Sequence, residues 1–192
     1  MEYGYIKAAT ASFDIQVAGV DANVESMIRL MKQAREQRVE LLAFPELCVT
    51  GYSCGDLFLT RRLLNRAQEG LKRLAAASAG SLCLVVAGAP ICHNERLYNC
   101  AVFIQDGQLR GIVPKSYIPG YKEFYEKRWF ASGRQIQAQE EMGVPFGTHV
   151  MMQLGSDVRV AAEICEDLWV SDSPSIRHCR SGADLVVNLS AS

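Results

Sequence analysis

The sequence has no apolar run longer than a strand, no paired cysteines and no excess of either charge. Each absence closes off a class of function. A bilayer span needs roughly 18–20 consecutive apolar residues, and the most apolar stretches, such as SLCLVVAGAPI (81–91), fall well short of that. Lys plus Arg is 20 and Asp plus Glu is 21 over 192 residues, a net charge of −1. Neither nucleic acid nor an anionic membrane is therefore expected as a partner. The seven cysteines are odd in number, scattered, and never spaced C-x-x-C. They read as neither a disulfide framework nor a zinc knuckle, so no metal is expected, and they fit a reducing cytoplasm. The opening MEYGYIKAATASF lacks the basic region and apolar core of a secretory leader. Histidine is scarce: His93, His149 and His178 lie away from the strand ends discussed below and read as structural.

What is present is an alternation of strand-like and helix-like segments, with no internal repeat and no linker. YIKAATASFDI reads as a strand. DANVESMIRLMKQAREQ places Val24, Met27, Ile28 and Met31 on one helix face, with Asp21 as the expected N-cap. VELLAFPE is a buried strand, TRRLLNRAQEGLKRLAAASAG a second amphipathic helix ended by Gly80, and SLCLVVAGAPI a strand covered on both faces. RLYNCAVFIQDGQLRGIVPKS reads as a hairpin turning at Asp106-Gly107, and HVMMQLGSDVRVAAEI as another turning at Gly155-Ser156-Asp157. A short helix from Pro174 to Arg180 leads to a last strand, ADLVVNLSA. The two hairpins rule out purely parallel βα repetition, so the expected class is α/β with a mixed sheet or a pair of sheets and helices outside. Ending in a strand without a covering helix, the sequence is expected to continue in the native protein.

Three strand ends carry reactive side chains. In FPELCVTGYSCGDLF, Glu46 follows a buried strand through a proline. A carboxylate there is either a base with a raised pKa or a cap on the next turn. The glycines at 51 and 55 and Ser53 mark a tight loop able to approach a ligand. In IVPKSYIPGYKEFYEKRWF, Lys115 also follows a strand through a proline and precedes an aromatic loop, where Glu123 and Glu126 are additional acids within reach of such a site. It is either a fixed cation for a developing oxyanion or an ordinary surface lysine. In AAEICEDLW, Cys165 ends a strand and turns into two acids. It is either a buried thiol or a nucleophile at a bend that supplies backbone N–H groups. Strand ends of one layer converge on one rim, so the three together point to one site. Glu46 could take the thiol proton, and Lys115 could hold both thiolate and oxyanion.

FPEL, VPKSYIP and EICEDLW, in that order, resemble the Glu-Lys-Cys motifs of the nitrilase (carbon–nitrogen hydrolase) superfamily across essentially the whole chain. The resemblance implies a four-layer α-β-β-α sandwich, truncated here at its C-terminal end. TGYSCGDLF, KSYIPGYKEFYEKRWF and NLSAS resemble, more narrowly, the glutaminase domains of bacterial glutamine-dependent NAD+ synthetases. On that resemblance residues 1–192 are an incomplete glutaminase domain. It would hydrolyse glutamine and pass ammonia to a synthetase domain that amidates nicotinic acid adenine dinucleotide. Glu46 would be the base, Lys115 the oxyanion stabiliser and Cys165 the thioester-forming nucleophile. Tyr121 and Ser192 would contact glutamine, Tyr52 and Glu166 would line its pocket, and Glu123 would be the further structural carboxylate. The SGG-x-D-S pyrophosphatase loop is absent, so ATP and Mg are expected only in the synthetase half and no cofactor in this domain. The resemblance also implies a cytoplasmic homo-oligomer. The alternatives are an amidase acting on another small amide, and a catalytically inert scaffold.

Overall fold

In the computed structural model residues 4–136 and 138–191 are described. The first sheet starts with three parallel strands, β1 (Ala8–Thr10), β2 (Leu41–Ala43) and β3 (Leu84–His93). They are joined by the crossover helices α1 (Val20–Glu36) and α2 (Arg61–Ala77). Strands β4 (Arg96–Gln105) and β5 (Gln108–Pro114) extend the sheet antiparallel, turning at Asp106-Gly107 as the sequence predicts. A short pair, β6 (Gln139–Glu141) and β7 (Val144–Phe146), completes the order β1-β2-β3-β4-β5-β7-β6. The second sheet holds β8 (Met151–Leu154), β9 (Val158–Ile164) and β10 (Leu185–Leu189), with β9 central. Its β8–β9 hairpin is the expected one, and β10 runs parallel to β9 after α3 (Pro174–Arg180).

Side-chain alternation along the strands sorts the apolar residues into two layers. Val24, Met27, Leu71 and Leu74 of the helices pack on Val85, Ala87, Val102 and Ile104 of one sheet face. The opposite face presents Val86, Phe103 and Val113, which meet Val160, Ala162 and Ile164 of β9. Glu163 points the other way, beneath α3, where it accepts hydrogen bonds from Ser173 Oγ and the Ser175 amide. The layers therefore run helix, sheet, sheet, helix, as the resemblance implies.

Several local expectations give way. The first strand covers only three residues of the apolar stretch that suggested it. Gly19 precedes α1 without a side-chain cap, and Asp21 instead lies in the first turn, where it pairs with Arg66 and Arg73 across α2. The β6–β7 pair was not anticipated. Neither was the tight β3–β4 connection through Asn94 (φ 47°) and Glu95 (φ 61°), two left-handed residues without a glycine to announce them.

Candidate active site

Glu46, Lys115 and Cys165 all sit where a strand stops, and the reason each strand stops is local. After β2 the chain passes Pro45 and bends at Leu47, whose φ of 50° is left-handed. The bend lies directly on β3: a Cβ at Gly88 would come within 2.3 Å of the Leu47 nitrogen and 2.7 Å of the Glu46 carbonyl carbon. Only glycine leaves room for this crossing. Lys115 follows the last residue of β5. Its amide donates to the Asn99 carbonyl at 2.8 Å, and its own carbonyl accepts from Gly133 at 2.8 Å. Cys165 follows β9 as a buried residue with φ 44°, the first residue of a 3-10 turn that ends at Trp169. A left-handed cysteine is a strained conformation that the surrounding structure must enforce.

Asp167 enforces it. Its buried carboxylate accepts from the Ile164 amide at 3.1 Å and from the Ser116 and Tyr117 amides at 3.1 and 2.7 Å. The cysteine elbow is thereby tied to the segment just after Lys115. Burial pushes the Asp167 carboxyl up to about 6, against the pull of those three amides and of Lys115.

Lys115 is fully buried between two carboxylates. Its Nζ donates to Glu46 Oε1 at 2.7 Å and to both oxygens of Glu126 at 2.8 and 2.9 Å. Three donors meet three acceptors, so the ammonium is saturated. Burial raises the Glu46 carboxyl, helped by the nearby Glu126 charge and opposed by Lys115. For Lys115 burial pulls downward, but Glu46 and Glu126 together outweigh it and hold the ammonium above its ordinary value. A raised carboxyl beside a persistent cation is the arrangement a general base requires.

Around this cluster the expected pocket residues fall into two groups. Tyr52 donates its hydroxyl to Glu126 Oε1 at 2.8 Å, and burial and that carboxylate hold the phenol well above its usual range. Tyr121 donates to Glu166 Oε2 at 2.7 Å and is half exposed. Its phenol is raised first by that bond. Negative charge on Cys165 disfavours ionisation of both tyrosines, so the cysteine lies within electrostatic reach of each. The loop after Glu46 and the aromatic loop after Lys115 are held together by Asp56, which accepts from Arg128 at 2.7 and 2.8 Å and from Trp129 Nε1 at 2.9 Å.

One expected residue is displaced. Glu123 is exposed, and the buried carboxylate on the lysine is Glu126, three residues on. The 3-10 turn Glu126–Arg128 points Glu126 inward and leaves the two cations that follow it, Lys127 and Arg128, exposed. Ser192 lies outside the described residues. Sequence reading missed Asn99 and the role of Asp167, and it noted Glu126 only as one of two acids within reach of the Lys115 site. Asn99 and Asp167 had a legible signal, since each is a polar residue that strand or turn periodicity places beside apolar neighbours. Two of the histidines are placed as expected of structural residues: His93 bonds Glu141 at 2.7 Å and packs at a tilt against Phe146. His178 lies on the buried face of α3, where burial lowers its pKa.

Known proteins share both the sequence and this architecture. A profile of the family described as carbon-nitrogen hydrolase matches residues 7–192. The glutamine-dependent NAD(+) synthetase of Mycobacterium tuberculosis (strain H37Rv) is 36% identical over 197 aligned residues, covering 100% of this chain and 29% of that protein. The corresponding protein of Xylella fastidiosa (strain 9a5c) is 33% identical, with 98% and 32% covered. The chain thus spans less than a third of the length of these curated relatives. A crystal structure of a glutamine-dependent NAD(+) synthetase from Cytophaga hutchinsonii superposes with a TM-score of 0.84 at 31% identity, over 97% of this chain and 30% of that one. An amidase from Nesterenkonia sp. has the same fold, with a TM-score of 0.76 at 18% identity over 96% of this chain and 64% of its own. With a family match over nearly the full length and three strand-end motifs in their expected order, the chain belongs to the carbon-nitrogen hydrolase family.

Proposed function

We propose that this chain hydrolyses the side-chain amide of glutamine through a thioester on Cys165. We further propose that, in a longer protein, the released ammonia feeds an ATP-dependent synthetase domain that amidates nicotinic acid adenine dinucleotide. The observation that carries the reading is the buried Lys115 held between Glu46 and Glu126 beside the strained Cys165 elbow. The names of the relatives supply the substrate.

In this reaction Glu46 accepts the thiol proton and Sγ attacks the amide carbon. The carbonyl oxygen becomes an oxyanion beside the Lys115 ammonium and the backbone N–H groups of the Cys165–Trp169 turn. Once protonated, Glu46 attracts Lys115 less strongly, which releases positive charge toward the oxyanion at the moment it forms. Collapse of the adduct expels ammonia, which leaves with the proton from Glu46. The thioester is then attacked by water, whose proton passes to Glu46, and glutamate departs as Cys165 regains its proton. Tyr121, Glu166 and Tyr52 form the wall of the amide pocket, and Ser192 is assigned to the amino-acid end of glutamine.

The test is release of ammonia and glutamate by the protein in its natural length, with Cys165→Ala as control. Loss of activity by about three orders of magnitude or more is expected for removal of a nucleophile. Undiminished release would sink the assignment.

A further inference from the structure

We propose that Asn99 is a positioning residue for the proton transfer: its amide clamps Oε1 of Glu46 against Lys115, so that Oε2 is the atom that takes the proton from Cys165 and returns it. The proposal rests on the thioester reading above and assigns the transfer to one oxygen.

Three observations carry it. First, Asn99 stands on the site's own face. Along β4, Phe103 and Ala101 point into the layer between the sheets, and the period of two puts Asn99 next in that row. It is fully buried in a strand otherwise apolar over its inner length. Second, its Nδ2 donates to Glu46 Oε1 at 2.7 Å and, at 3.4 Å, to Glu126 Oε2. With two carboxylates on this side, the amide can face them only with its nitrogen. Its orientation is thus fixed by charge, and the Asn99 backbone carbonyl holds the Lys115 amide as well. Third, the two oxygens of Glu46 are unequal. Oε1 accepts from both Lys115 Nζ and Asn99 Nδ2, each at 2.7 Å, whereas Oε2 is buried without a hydrogen-bond partner.

An oxygen that already accepts two donors, one of them cationic, has lost much of its basicity, and the unengaged oxygen of the same carboxylate has kept it. The proton therefore goes to Oε2. The S–H bond breaks, an O–H bond forms, and the pair becomes a thiolate and a neutral carboxyl group still anchored through Oε1. Asn99 Oδ1 is left buried and unpartnered as well. That arrangement opposes stability, which is the signature of a residue held for the site rather than for the fold.

Glu46 is faced by Lys115 and Glu126, and Tyr52 is a further titratable group within electrostatic reach of both Glu46 and Cys165. The Asn99 donor favours the ionised form of Glu46. Removing it makes that form harder to reach, so the acidic limb of the pH profile moves to higher pH. Asn99→Leu keeps the volume and deletes the donor. In glutamine hydrolysis by the natural-length protein, kcat should fall about tenfold at pH 8, with KM within about threefold of wild type. The loss should be several-fold larger at pH 6, the effect of one missing hydrogen bond on a charged group. Asn99→Ser retains a shorter-reaching donor and should fall between. If the leucine variant does not fold, the displaced acidic limb in the serine variant supports the proposal, and an undisplaced limb overturns it.

Alkylation of Cys165 by iodoacetamide across the same pH range separates this proposal from the glutamine reading, because it needs no amide substrate. A displaced alkylation profile in the variants, with no glutamine hydrolysis by the wild type, retains the role of Asn99 and removes the substrate. Glutamine hydrolysis by the wild type, with superimposable kcat and pH profiles in the variants, overturns the role of Asn99 alone.

Discussion

Glu126 sets how much charge the buried cluster carries. With Glu46 and Glu126 both ionised around Lys115, the cluster holds one negative charge more than it can neutralise, and the raised carboxyl of Glu46 is part of the response. Neutralising Glu126 removes that repulsion, so Glu46 ionises more readily. The consequence has the opposite sign to the loss of Asn99: in Glu126→Gln the acidic limb of kcat/KM should move to lower pH. At neutral pH activity should nonetheless fall, by about ten- to hundredfold, because Lys115 loses a charge-assisted anchor. A pH profile of the variant is the check, and an acidic limb that stays put or rises would show that Glu126 does not set the charge balance. Glu123→Gln is the natural comparison. This residue is exposed, and its replacement should leave the profile where it is.

Among the elements, the turns that end strands matter more than the strands. The Cys165–Trp169 turn keeps its left-handed first residue because Asp167 gathers three amides from two segments. Asp167→Asn offers one acceptor oxygen in place of two, and its NH2 group would then confront a backbone N–H. The expected cost is about 1–3 kcal/mol of stability, read by denaturant unfolding, together with slower alkylation of Cys165. Unchanged alkylation would mean that the elbow is held by other contacts. Both sequence-read hairpins and the helices α1, α2 and α3 were legible because apolar periodicity and turn residues encode them locally. The positions of the three candidate residues, Glu46, Lys115 and Cys165, were legible for the same reason, each being a reactive side chain at the end of an apolar run. What escaped is encoded across distance. Gly88 matters only because Leu47, 41 positions away by residue number, crosses over it. Glu126 was misplaced by three residues because EFYEKR offers two acids, and only the packed loop decides which one turns inward. The β6–β7 pair has short strands exposed over much of their length, too brief for periodicity to register.

For the whole molecule, the two sheets divide the chemistry between them. Asn99 lies in the first sheet and Glu46 and Lys115 just beyond the ends of its strands, whereas Cys165 follows β9 of the second. Their separation is fixed by the apolar layer in which Phe103, Val86 and Val113 meet Val160, Ala162 and Ile164. The helix-side layer supports only the first sheet. Losses of equal size in the two layers should therefore have unequal effects on function. Phe103 and Leu71 are both fully buried, one in each layer. Phe103→Ala and Leu71→Ala should each cost about 3–5 kcal/mol, seen as a lowered unfolding midpoint. At a temperature where both variants remain folded, Phe103→Ala should also slow Cys165 alkylation and glutamine hydrolysis, because the cavity lets one sheet shift against the other. Leu71→Ala should leave both rates near wild type. Equal loss of rate in the two variants would mean that overall stability, rather than the register of sheet on sheet, sets the reactivity of Cys165.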